Sequence, residues 1–134
     1  MQKQELPERV RKWLKRVEYD MQTAEAMLQT KRFIYAIFMC QQAIEKCFKA
    51  MIASQGREIL PVHNLRRLAE VSAVTGELTE DQLLKLDFLS QYYINARYKE
   101  DIEELSRGIT EEFSKNIIDF SKEMIEWIAK RIQS

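Results

Sequence analysis

This chain has little from which to build a disulfide, a metal centre or a glycine-rich phosphate loop. It contains two cysteines, one histidine, three glycines and two prolines. Cys40 and Cys47 stand seven residues apart in what reads as one helix. Their Cα atoms should therefore lie about 10 Å apart, out of reach of a disulfide within the chain. They read as small buried hydrophobes. A single histidine leaves too few ligands for zinc and too few partners for a Cys/His nucleophile. Neither G-x-x-x-x-G-K-[ST] nor G-x-G-x-x-G occurs, and scattered glycines cannot align the backbone amides that cradle a pyrophosphate. No apolar run approaches the roughly 18 residues of a membrane span. The opening MQKQELPE is polar and charged, unlike a secretory leader. These absences predict a cytoplasmic protein without metal or cofactor. Glu100, Asp101, Glu103 and Glu104 could attract Mg²⁺, but clustered carboxylates on a helix are more often a solvated face.

What is present points to a helical protein. Of the 134 residues, 46% are hydrophobic and 31% charged, a balance that supports a packed core rather than a disordered chain. The length fits one domain over residues 1–134, burying roughly two-thirds of the surface of the unfolded chain. Formal charge is zero but unevenly spread. Residues 1–67 carry 13 Lys and Arg against 7 Asp and Glu, whereas residues 68–134 carry 8 against 14. Basic helices packing beside acidic ones would explain this, and a basic surface for phosphates is the alternative. The densest basic stretch is RVRKWLKR. There Arg9, Lys12 and Arg16 share one helical face while Arg11 and Lys15 share another. Without a recognised binding motif or clear aromatic interleaving, it is a weak nucleic-acid signal.

Apolar periodicity predicts five helices. The first begins at Pro7 and carries Val10, Leu14, Val17, Met21, Ala24 and Leu28 to about Gln29. The second runs from about Arg32 to Gln55 through Phe33, Ala36, Ile37, Cys40, Ile44, Cys47, Phe48 and Met51, and stops at Gly56. Pro61 should keep GREILPVHN out of helix. Asn64 caps a third helix, Leu65 to about Thr75, ended by Gly76. Thr79 and Gln82 form a capping box for a fourth, which carries Leu83, Leu86, Leu89 and Tyr93 and continues into QYYINARYKEDIEEL. After a break near Gly108, Thr110 caps the last helix, through Phe113, Ile117, Phe120, Met124, Trp127 and Ile128. The expected fold class is all-α, a five-helix, mostly up-and-down bundle. Ile118, Ile125 and Ile132, with Ile34 and Phe38, lie off the main stripes, which predicts a dimer.

Several of these pieces together resemble the HEPN domain family of small prokaryotic helical proteins. They are Asp20 and Ala24, the Tyr35-Ala36 step, QQAIEKCFKA, Pro61 and His63 in PVHNL, and Ala96-Arg97-Tyr98. The resemblance implies a HEPN-like bundle that is usually a homodimer. It also implies a frequent neighbour, a minimal nucleotidyltransferase with which the domain forms a toxin–antitoxin pair. Members with an intact motif are metal-independent ribonucleases carrying an Arg, four to six residues, then a His. A histidine can take the 2′-hydroxyl proton, and an arginine can stabilise the phosphorane that forms.

The chain departs from that motif where the chemistry needs it. Counting from Arg97, the histidine should stand at 102, 103 or 104, where the sequence has Ile102, Glu103 and Glu104. Lys99 also replaces the proline that commonly ends the Arg-Tyr-Pro step. Arg57 and His63 match the spacing, but in a loop outside the motif's place. His63 is expected to pack or hydrogen-bond ahead of helix 3, and Arg97 to reach Asp20 or Glu45. Three functions follow. The preferred one is a non-catalytic interaction module that forms a homodimer and associates with a nucleotidyltransferase. A compatible one is nucleotide or RNA binding between helices 2 and 4, with Lys46, Lys49 and Arg97 on phosphate and Tyr98 against a base. The third is a ribonuclease with a rearranged site, in which Arg97 would be the catalytic residue retained.

Overall fold

The computed structural model describes residues 6–93, 102, 104 and 106–133. Among them, five stretches with apolar spacings of three and four become α-helices: α1 (Glu8–Gln29), α2 (Phe33–Ser54), α3 (Leu65–Val71), α4 (Glu80–Ser90) and α5 (Glu111–Gln133). A 3₁₀ turn at Thr75–Glu77 joins α3 to α4. No strand occurs among the described residues, and no helix there is long and apolar enough to cross a membrane.

Helix α2 is the central element because it is apolar nearly all round. It is buried along most of its length, including Ile37, Cys40, Ile44, Cys47 and Phe48. Helices α1 and α5 flank it most closely, with α3 and α4 packed on its remaining side. Burial pushes both thiols up to about 12, the behaviour of inert core cysteines. Val10, Val17 and Ala24 of α1 and Ile117, Met124 and Ile128 of α5 complete this core. The buried hydroxyls of Ser72 and Ser121 turn back onto the carbonyls of Leu68 and Ile117.

The helix starts follow the expected chemistry. Asn64 Oδ1 accepts from Arg67 N at 2.9 Å, and Thr110 Oγ1 from Phe113 N at 3.0 Å. The Thr79/Gln82 capping box is complete, with bonds of 2.9 and 3.1 Å. The ends depart in two places. Helix α3 stops at Val71 rather than near Thr75, because Ala73 takes the left-handed conformation (φ 63°) and Gly76 does not. Helix α4 ends at Ser90, short of Tyr93; beyond residue 93 the described residues Ile102, Glu104 and Ser106 are again helical.

The off-stripe residues do not form an outer face. Ile34, Phe38, Ile118 and Ile132 are buried within the single chain, and Ile125 is partly buried against the same core. They therefore give no ground for a dimer. Apolar surface lies elsewhere, in a groove between α4 and α5 lined by exposed Leu84 with Phe88, Phe113, Ile117 and Phe120.

Candidate functional site

One face of α2 breaks its apolar pattern at Gln41, Gln42, Glu45, Lys46 and Lys49, where repeats of four place polar groups in a row. Burial forces each to be paired. Glu45 Oε2 lies 2.9 Å from Lys49 Nζ and 2.9 Å from His63 Nδ1. Its Oε1 accepts from Gln41 Nε2 at 3.1 Å, and the same amide nitrogen donates to the His63 carbonyl at 3.1 Å. Gln42 Nε2 then donates to Gln41 Oε1 at 2.8 Å. The side chains of Lys49 and Glu45 are only 8% and 6% exposed, so this pair is a structural ion pair rather than a solvated one.

His63 owes its place to Pro61 and the Asn64 cap, which leave residues 57–64 without helix between α2 and α3. A carboxylate can only accept, so this contact needs a hydrogen on His63 Nδ1, while Nε2 has no partner among the described residues. The imidazole lies flat on Tyr93, with ring centroids 3.8 Å apart and planes at 12°. Its side chain is 38% exposed. Arg57, which matches the motif spacing to His63, instead donates to the Val71 carbonyl and to Gln55.

From the adjoining row of the same face, Lys46 Nζ meets Asp20 Oδ2 of α1 at 2.6 Å. Trp13 of α1 lies within 6.0 Å of Lys49 Nζ and 5.3 Å of the Arg16 guanidinium. Beyond it, Arg9, Arg11, Lys12, Lys15 and Arg16 are all exposed. None has an ion-pair partner among the described residues, whereas Lys46, Lys49, Arg66, Lys85, Lys115 and Lys122 all do. Lys12, Lys15, Arg16 and Lys46 line a shallow depression beside Tyr19, which is 71% exposed, the most open large apolar residue among the described residues.

Of the residues expected to hold a ligand, only Lys46 and Lys49 lie among the described residues. Lys46 and Lys49 share α2, but each is neutralised by a carboxylate. Arg97 and Tyr98 lie outside the described residues. The two carboxylates expected to receive Arg97 already bind Lys46, and Lys49 with His63, respectively. Sequence reasoning missed Trp13 and Tyr19 as the aromatics interleaved with the basic stretch, and Tyr93 as the partner of His63. For the first two the signal was there: positions 13 and 19 flank Arg16 at helical spacing.

Comparison with known proteins agrees with this architecture. The archaeal HEPN homologue ST0689 has a crystal structure similar to this fold, with a TM-score of 0.67 at 24% identity over 92% of this chain and 97% of that one. The crystal structure of TT1696 from Thermus thermophilus gives a TM-score of 0.77 at 21% identity, over 92% and 98%. No curated protein matches the chain. The HEPN domain profile matches residues 10–132, nearly the whole sequence, and this protein belongs to the HEPN domain family.

Proposed function

We propose that this protein is a non-catalytic HEPN module that binds RNA through the basic face of α1, forms a homodimer and associates with a minimal nucleotidyltransferase as one part of a toxin–antitoxin pair. The observation that carries the RNA reading is the set of five exposed α1 cations without ion-pair partners among the described residues. Unpaired cations clustered on two adjoining faces of one helix repel one another and cost stability, an arrangement suited to receiving a polyanion. Trp13 and exposed Tyr19 supply apolar and stacking surface among these charges. The absence of histidine at Ile102, Glu103 and Glu104 removes the proton acceptor of the family's ribonucleases. The apolar groove between α4 and α5 offers an assembly surface.

Labelled single-stranded RNA, titrated with salt in the presence of EDTA, tests this reading. Binding should weaken linearly on a log–log plot, and Lys12→Glu with Arg16→Glu should flatten the slope by roughly 0.7 for every phosphate that is no longer neutralised. The RNA should remain intact. Cleavage that disappears in Arg97→Ala would instead establish a ribonuclease with a rearranged site.

A further inference from the structure

The pairing of His63 and Tyr93 goes beyond what the charge of Glu45 requires. Glu45 already has Lys49 on one oxygen and Gln41 on the other, so its burial is compensated without a third donor. What the contact does is orient the imidazole: Nδ1 lies 2.9 Å from Glu45 Oε2 while the ring is parallel to Tyr93. The result is a two-ring stack at the surface. Its chain neighbours Leu60, Pro61, Asn64 and Gln91 are exposed. A continuous series of contacts joins it to the basic face, from Arg16 to Trp13, Lys49, Glu45 and His63.

We infer that the His63–Tyr93 stack is a nucleobase platform, on which an unpaired base of the RNA held by α1 stacks. This inference rests on the RNA-binding reading above and names its base subsite. A ring already stacked on its neighbour offers its outer face as a π surface at little entropic cost, and stacking tolerates any base while favouring the larger purines. Nε2, which has no partner among the described residues, can hydrogen-bond to a base edge or a 2′-hydroxyl beside the platform. The ligand class is therefore single-stranded, purine-containing RNA rather than duplex, whose bases are already stacked.

Short single-stranded RNAs carrying a fluorescent aminopurine at successive positions test the platform, because stacking on an aromatic ring quenches the label. Wild-type protein should quench one position strongly. His63→Ala should abolish that quenching and weaken binding about tenfold, the size of one base–aromatic stack. His63→Phe, which keeps a ring but not the Glu45 bond, should retain most of the quenching. Tyr93→Ala provides the same readout if His63→Ala does not fold. Tight binding without quenching at any position, or quenching that survives removal of either ring, would overturn the platform and leave RNA binding by α1 intact. Failure of wild-type protein to bind RNA even at low salt would instead remove the underlying reading, and the platform with it.

Discussion

At the residue scale, Glu45 is where folding and the site meet. It is buried, negatively charged and shared by Lys49, Gln41 and His63. Glu45→Ala would leave the Lys49 ammonium buried without its counter-charge and release the ring of His63. Urea unfolding should show a loss of about 3–5 kcal/mol, the usual cost of breaking a buried pair from one side. Glu45→Gln keeps an acceptor for Lys49 and should cost less. Part of this was legible in the sequence: Gln41, Glu45 and Lys49 recur every four residues on a mostly apolar helix. Their partner was not, because His63 stands 18 residues away and reaches Glu45 only after the chain has turned past Pro61.

At the element scale, three helices close with the same device, and only one uses glycine. After α1, α2 and α3 the residues Lys31, Gly56 and Ala73 take positive φ. In each case the next amide bonds back five residues, Arg32 to Met27, Arg57 to Ile52 and Val74 to Ala69. This pattern is the Schellman motif, which satisfies the last carbonyls of a helix. Gly56 was legible because glycine is the residue that motif favours. Ala73 was not, and Gly76 three residues on drew the predicted end of α3 too far. A left-handed alanine carries steric strain of about 1–2 kcal/mol, partly offset in a glycine variant by the greater freedom of the unfolded chain. Ala73→Gly should therefore stabilise the protein by about 0.5–1 kcal/mol, seen as a higher midpoint in urea. The N-terminal caps were easier to read, since Asn64, Thr79 and Thr110 act on amides within three residues of themselves.

At the scale of the whole molecule, the charge asymmetry of the sequence becomes a surface. Acidic groups of the second half pair with cations of several helices, as Glu77 does with Arg131 and Asp87 with Arg66, while the α1 cations have no ion-pair partner among the described residues. The proposed homodimer should use the groove of Leu84, Phe88 and Phe113 rather than the isoleucines that the helical pattern suggested. Leu84→Glu would place a charge in that groove at an exposed position where folding does not depend on it. Light scattering should report a shift from dimer to monomer, with a melting temperature that no longer depends on protein concentration; a dimer that persists would place the interface elsewhere.

By itself, the sequence determined the helices, their starts and the family, because apolar periodicity, capping side chains and ordered short motifs are local properties of the chain. Tertiary structure alone decided which off-stripe residues are core and which cations are spent on internal pairs. It also brought His63, Glu45 and Tyr93 to one point. The reason is physical: burial and ion pairing depend on neighbours supplied by other helices, and those neighbours exist only once α1, α4 and α5 have packed around α2.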